Sequence, residues 1–504
     1  MLADLKRRFD RVFGWVEYAI ALVAAVALLQ FLAWESWSAH LLAQSARTMA
    51  ALERGDTPYR WAPRHERDLV AGRLFGSNAY EFDERGLRVE GNGEAFQVGL
   101  PFSGAIDLAL YDRIELEISD VAAAQTTLVV RETLNGPMRF ALVPAGVREI
   151  DPATLAWDDE FGAAVSTPRR FAMLRIQAQP PKGEPFRLSA VRLLPSQTRV
   201  DYAPWVAVKP GPINIPEPAP GIVMRYALDS RQTLEAAMIQ RDRLLLRAPT
   251  ALFVQGSNTD QVEAAARAFA DAGSTSHAPA FDLRWPALAL YAAALLLLRV
   301  RPPRNARLRA ALEAAGALLA PFGLVIGGFV GDNPDAWIAL VAAVSLAFAL
   351  SLDRIAPWRW LGAPRTWVAP VATVALAAAL AAWLHRTDNG FHWPDRITLL
   401  RYLAWVVLQQ YLICVVLADR LARIDLAPRW IAFAAALVFA LLHTPNAMLM
   451  LATFAGGLAW SRAWVRHRAL LPLVAAHVAS ATILIACLPP EILRSAEVSA
   501  RFFL

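Results

Sequence analysis

The chain has 504 residues, 56% of them hydrophobic and 19% charged, with a mean hydropathy of +0.35, which excludes disordered, collagen-like, coiled-coil and low-complexity classes and does not suit a purely soluble protein. The net charge of +6 is carried almost entirely by Arg residues placed between apolar stretches, a pattern of membrane topology rather than of nucleic-acid binding. Two cysteines exclude a disulfide scaffold and any zinc site built from Cys alone.

A bilayer core takes about 20 mostly apolar residues per helix. The first such stretch runs from about Trp15 to Trp34, behind Lys6, Arg7, Arg8 and Arg11. It is longer than the apolar core of a cleaved signal peptide, roughly 7 to 15 residues, and it ends in bulky Phe31, Leu32 and Trp34. Residues 1–36 therefore read as a cytoplasmic start and an uncleaved membrane anchor. Residues 37–200 read as an extracytoplasmic β-sandwich-like domain. Within it, Asn135-Gly136 between Val129-Val130 and Phe140-Ala141-Leu142 signals a hairpin. Gly91-Asn92-Gly93 marks another turn, Ile114 to Ile118 alternates apolar and charged residues, and Arg187 to Leu193 reads as a closing strand. On pattern this stretch resembles a galactose-binding-type jelly roll. Such sandwiches often bind sugars on aromatic platforms, for which Trp157 and Tyr111 are the candidates; the other reading places both rings in the core.

Residues 201–283 read as a Pro-rich linker, Lys209 to Pro220, and a small α/β module. A helix is expected over Arg231 to Gln240, a strand over Leu244 to Val254, and a second helix over Asp260 to Ala272, with Asn258 and Gln261 as its start signal. The module shows no Gly-rich phosphate loop and no nucleophile elbow. Residues 284–504 then hold eight crowded apolar stretches, at about 285–300, 309–330, 336–352, 366–385, 397–418, 430–446, 447–463 and 469–488.

Placing the N-terminus in the cytoplasm puts four Arg-rich loops inside. They hold Arg299 to Arg307, Arg354 to Arg365, Arg420 to Arg429 and Arg462 to Arg468. The loops at Asp332 to Asp335, His385 to Asp395 and Thr444 to Asn446 then lie outside, so the alternation is kept along the whole chain. The expected fold is mixed: an α-helical polytopic membrane bundle of about eight spans, an N-terminal anchor helix, and an extramembrane β-sandwich with a small α/β module. High Arg and Ala usage points to a GC-rich bacterium, hence to a multi-pass protein of the inner (cytoplasmic) membrane with residues 37–283 outside.

Polar residues inside a bilayer are costly and often functional. The last four spans carry Gln409, Gln410, His443, Asn446, His477 and Ser480. At about 1.5 Å per residue, Gln409 lies roughly 16 Å from Arg420, His443 roughly 21 Å from Arg429, and His477 roughly 14 Å from Arg468. Three helices thus bring polar groups to a similar depth. They read either as interhelical hydrogen-bond pairs, at around 0.6 to 2 kcal/mol per contact, or as a buried site.

The segment Gln409-Gln410-Tyr411-Leu412-Ile413-Cys414, continuing to Arg420-Leu421, resembles the first motif of the CPBP (Abi, CAAX-protease-like) intramembrane proteases, Glu-Glu-x-x-x-Arg. Phe439-Ala440-Leu441-Leu442-His443, followed by Thr444-Pro445-Asn446, is similar to the second, Phe-x-x-x-His with a Pro-Asn continuation. His477 fits the third, His-x-x-x-Asn or Asp. The resemblance covers residues 395 to 490 or so. It implies an intramembrane endopeptidase in which the second-motif His and a Glu activate the attacking water and the other polar residues steady the oxyanion. Carried onto this chain, it nominates Gln409, Gln410, His443, Asn446 and His477 as the catalytic set.

The departures bear on chemistry. Gln409-Gln410 stands for Glu-Glu, Cys414 for Arg, and Ala481 for the last Asn or Asp. Glutamine cannot take a proton, so neither can be the general base. The acids between residues 397 and 488 are Asp419 and Asp425, both read as lying at the inner surface, and Glu313 is read near a cytoplasmic end. Either His443 or His477 is the base, with the glutamines orienting water or the scissile amide, or the site is a retired protease that still holds a membrane segment or lipid. Two His fall short of the three protein ligands usual in catalytic zinc sites, so no metal site is expected, and the sequence names no cofactor. Loss of Glu together with Arg is coherent, because removing the acid removes the reason to bury its cation. The reading is an endopeptidase acting on a membrane-embedded or lipidated protein segment; the alternative is a non-catalytic receptor or scaffold whose external domain binds a glycan or protein. Transport fits less well, since the spans lack the buried charges of ion-coupled carriers. Membrane lipid is the expected surrounding partner, and nucleic acid is not expected.

Overall fold

A computed structural model describes residues 2–102, 104–119, 125–196, 200–209, 211, 219–256, 284–327, 336–354, 356–384 and 396–503. The chain divides into two compact units, one of Met1–Trp37 with His277–Leu504 and one of Ser38–Ser276. The first apolar stretch belongs to a single helix, α1 (Leu2–Arg54), which runs well past the Trp34 end expected from hydropathy.

The β-rich unit contains two six-stranded sheets. One has the order β2 (Tyr80–Asp83), β3 (Gly86–Glu90), β14 (Pro185–Leu194), β6 (Arg113–Ser119), β9 (Glu149–Ile150), with β1 (Arg60–Trp61) also pairing to β14. The other has the order β11 (Ala164–Val165), β10 (Trp157–Asp159), β8 (Arg139–Val143), β7 (Gln125–Arg131), β13 (Met173–Gln179), β4 (Phe96–Leu100). A short pair joins β5 (Ile106–Asp107) to β12 (Arg170–Phe171). The alternation along β6 buries Ile114 and Leu116, while Glu115 and Glu117 reach Arg192 of β14 on the other face. The Asn135-Gly136 turn joins the antiparallel pair β7 and β8, with the Gly136 amide donating to the Thr133 carbonyl at 2.9 Å.

One expectation is corrected here, and one open choice is decided. The strand over residues 187–193 does not close its sheet; β14 sits between β3 and β6, because its apolar side chains are needed at the centre of the core. Neither Trp157 (2% exposed) nor Tyr111 (1%) forms a surface platform. Both belong to the core cluster that draws Leu87, Leu128, Val130, Ile176, Phe186 and Val191 from the two sheets, and Trp157 Nε1 donates to the Pro152 carbonyl at 2.8 Å.

The α/β module is a parallel sheet of β15 (Asp201–Val208), β16 (Ile222–Leu228) and β17 (Leu252–Gln255) with helix α2 (Leu234–Leu245). Thr233 caps α2 by accepting from the Ala236 amide, so the helix starts later than read and runs on through Leu245. The strand expected from Leu244 is accordingly confined to β17. The helix expected over Asp260 to Ala272, with Asn258 and Gln261, lies outside the described residues, as does most of the Pro-rich linker.

Every apolar stretch read from residue 285 onward contains a helix: α3 (Arg284–Val300), α4 (Ala306–Ile326), α5 (Ala336–Ser351), α6 (Val368–Leu384), α7 (Arg396–Gln410), α8 (Asp419–Arg423), α9 (Pro428–Leu441), α10 (Ala447–His467) and α11 (Leu471–Cys487). Between α7 and α8, Tyr411–Ala418 is π-helical. Among the described residues four helices, Gly14–Arg54, Ala306–Ile326, Pro364–Leu384 and Arg396–Arg423, are long and apolar enough to cross a membrane, and α5, α9 and α11 are shorter apolar helices. Leu290, Leu376 and Trp383 stand on outward faces with most of their surface uncovered, as lipid-facing side chains do. The protein is a membrane protein with a β-rich N-terminal region.

Helix α10 approaches α9 closely at Gly457, where a Cβ would meet the Ala436 Cα at 3.1 Å and the Phe439 Cδ1 at 3.3 Å. Ion pairs fasten the Arg-rich ends. Arg420 Nε meets Glu313 Oε2 at 3.2 Å, and both side chains are buried. Asp419, expected at the surface, is instead 2% exposed: it accepts from Trp464 Nε1 at 3.0 Å and Arg468 Nη1 at 2.8 Å, partners that make its burial tolerable.

Candidate functional site

Gln410 is the last residue of regular α7 and is 1% exposed. The π-helical segment begins directly after it, a widened turn that recurs at functional positions. Cys414, one turn on, points its Sγ at Gln410 Oε1 at 3.5 Å. A thiol donates better than it accepts, so the amide oxygen faces Cys414 and the amide nitrogen faces away. That nitrogen lies 3.1 Å from His477 Nδ1 on α11. Gln410 donates, so Nδ1 accepts, and His477 carries its proton on Nε2. Nε2 faces the Tyr402 hydroxyl at 3.4 Å, too long for a firm bond, which leaves it a loosely held donor. Trp460 of α10 stacks on the ring, centroids 5.0 Å apart at 28°, and is itself held by Nε1 donating to Thr373 Oγ1 at 3.0 Å.

His443 has the opposite tautomer, for a local reason. Helix α9 ends at Leu441, and the His443 amide bonds to the Ala440 carbonyl at 2.9 Å. The Phe439 carbonyl therefore loses its helical partner and accepts from His443 Nδ1 at 2.7 Å. A carbonyl only accepts, so the proton is on Nδ1 and the lone pair on Nε2. Among the described residues no hydrogen bond engages that lone pair. The Phe439 ring links the two histidines, edge-on to His443 at 4.9 Å and to His477 at 5.4 Å.

The structure thus brings together Gln410, His443 and His477. It does not bring in Gln409, which is half-buried and whose side chain makes no hydrogen bond among the described residues. Asn446 serves elsewhere: Oδ1 caps α10 by accepting from the Leu449 amide at 3.1 Å, and Nδ2 donates to the Ser495 and Glu497 carbonyls at 2.8 and 3.3 Å. Ser480, one turn beyond His477, is buried with its hydroxyl unpartnered among the described residues. Among the described residues no three His, Cys, Asp or Glu side chains gather as a metal site would need. Sequence reading missed Tyr402 and Trp460. Tyr402 stands about two helical turns before Gln410, a spacing that was there to be read. Trp460 is one of several Trp in its span and carried no distinguishing signal.

Residues 392–483 match the family model described as type II CAAX prenyl endopeptidase Rce1-like. The match takes in all three motif segments, and the likeness to the CPBP, CAAX-protease-like family stands. No curated protein matches the chain.

Proposed function

We propose that this chain is a CAAX-protease-like intramembrane endopeptidase in which His443, rather than a carboxylate, is the general base. The observation that carries the proposal is the His443 Nδ1 bond to the Phe439 carbonyl, which leaves Nε2 free and unprotonated. Nε2 takes a proton from water as the hydroxide adds to the scissile carbonyl. His477, held as an Nε2–H donor by Gln410, faces the oxygen where negative charge develops. His443 then returns the proton to the leaving nitrogen, giving one new carboxyl and one amine. The substrate is a membrane-embedded or lipidated protein segment. In the same reading the helices from residue 284 onward form about eight spans behind an N-terminal anchor, the N-terminus is cytoplasmic, and the two β-sheets stack as a sandwich outside the inner membrane of a bacterium.

The test compares membrane-protein termini in the native host between wild type and His443→Ala at equal abundance. Specific cleaved termini that vanish in the variant support the protease and identify its cut. Unchanged termini, with the variant rescuing the phenotype of a complete deletion, favour the second reading, a non-catalytic scaffold. That reading draws on one feature: no carboxylate stands at Gln409 or Gln410.

A further inference from the structure

The direction of His477 Nε2 is set by what surrounds the rest of the ring. Gln410 fastens Nδ1 at 3.1 Å, Trp460 stacks on the ring with centroids 5.0 Å apart, and the Phe439 ring meets it at 5.4 Å and 83°. Trp460 is anchored in turn to α6, where its Nε1 donates to Thr373 Oγ1 at 3.0 Å. With one nitrogen bonded and the ring stacked, the Nε2–H is aimed before any substrate arrives, which is the arrangement that makes a hydrogen-bond donor effective in catalysis.

Beside it stands the hydroxyl of Tyr402, brought from α7, 3.4 Å from Nε2 and with the two rings at 83°. Because Nε2 carries the proton, the phenolic oxygen is the acceptor in this stretched contact. The phenol's own hydrogen is therefore not spent on His477. Tyr402 makes no other hydrogen bond among the described residues. A hydroxyl has a single donor, so here that donor is uncommitted. An N–H from α11 and an O–H from α7 thus lie side by side. Two donors 3.4 Å apart can both reach one oxygen at about 2.8 Å, an ordinary hydrogen-bond length for each. An oxygen placed there exchanges one stretched contact for two good bonds.

We propose that Tyr402 is a catalytic residue of the peptidase, the second donor to the oxygen that turns negative when water adds to the scissile carbonyl. The assignment rests on the protease reading. As water, deprotonated by His443, bonds to the carbonyl carbon, the carbon–oxygen π pair moves onto the oxygen. That oxygen takes the Nε2–H and O–H bonds together. On collapse the pair on oxygen re-forms the carbonyl, the carbon–nitrogen pair leaves with the nitrogen, and the nitrogen takes the proton from His443. Tyr402 lends a hydrogen bond and keeps its proton throughout.

The test uses the full chain in the native host, in a strain lacking its own copy. Wild type, His443→Ala, Tyr402→Phe and Tyr402→p-aminophenylalanine are induced to equal abundance, and cut membrane-protein termini are followed over time. Termini made by wild type should be absent with His443→Ala and should appear about 100-fold more slowly with Tyr402→Phe. The amino analogue, which has N–H donors in place of the O–H, should recover at least about tenfold of that loss. Uncut substrate should co-purify with Tyr402→Phe as it does with His443→Ala, because only a transition-state bond is lost. Cutting by Tyr402→Phe within about threefold of wild type overturns the assignment and leaves the protease reading standing. A slower cut with lost co-purification, an amino analogue as slow as Tyr402→Phe, or a Tyr402→Phe chain that fails to accumulate also overturns it, and gives Tyr402 a packing role. Termini identical in wild type and His443→Ala overturn the protease reading, and this assignment with it.

Discussion

Glu and Arg, which the motif resembled by this segment carries at the positions of Gln410 and Cys414, can be placed there, and the structure sets the expected energies. Gln410→Glu alone puts a carboxylate into a buried position whose neighbours are a His477 lone pair and a thiol. With no cation to meet it, the variant should lose roughly 3 to 5 kcal/mol of stability. Cys414→Arg alone buries an unpaired guanidinium and should lose a similar amount. Together the two charges stand on adjacent turns. At about 4 Å and an effective dielectric near 20 their attraction is about 4 kcal/mol. Desolvation and overpacking enter the single and double variants alike and cancel in a double-mutant cycle. The coupling energy should therefore be about 2 to 4 kcal/mol in favour of the double variant. SDS titration in mixed micelles, followed by tryptophan fluorescence, measures it. Coupling within about 0.5 kcal/mol of zero would refute the reasoning, since positions 410 and 414 would then not share a site.

Glu313→Gln leaves Arg420 buried without its carboxylate and should lose about 3 to 5 kcal/mol, whereas Glu313→Leu combined with Arg420→Met should lose less than either single change; the same titration decides. Asn446→Ala removes the α10 cap, at about 1 to 2 kcal/mol, and frees the Ser495 and Glu497 carbonyls, so trypsin should cut sooner at Arg494 or Arg501. Unaltered digestion would count against that role. In the β-rich unit the Arg187 guanidinium holds the Asp83 carboxyl below its usual range. Its folded value is depressed, so the stability it adds is present above about pH 4 and is lost as pH falls through the lowered value. The gap in unfolding midpoint between wild type and Arg187→Gln should narrow on acidification, and a constant gap down to pH 3 or so would contradict the assignment.

Local signals were readable where one residue type decides the geometry. The Asn135-Gly136 turn, the alternation of Ile114 to Ile118 and the membrane helices follow from patterns that neighbours do not overrule. The place of β14 inside its sheet was not readable, because strand order depends on which apolar faces meet and sequence order carries none of that. For Trp157 and Tyr111 the sequence favoured a place without a ligand, and the two sheets enclose both rings in the core. At the site, Gln410, His443 and His477 were legible as polar residues in apolar helices. Their opposite tautomers were not, since these depend on a helix ending two residues before His443 and on a thiol one turn after Gln410. The bonds of Asn446 were not legible either, because capping a buried helix and polarising a substrate call for the same amide.

The pairing of Gln410 with Cys414 also bears on how the site responds to an energised membrane. Moving one elementary charge across 100 mV involves about 2.3 kcal/mol. A Glu–Arg pair buried between helices is a fixed dipole on which that field exerts a torque. Here the amide, the thiol and the Nε2-protonated His477 carry no formal charge at rest. In the proposed mechanism the His443 imidazolium and the oxyanion arise together, with opposite signs, and vanish together. In that mechanism the resting site presents no formal charge pair to the field, and none of the charge formed in a turnover is carried across the bilayer.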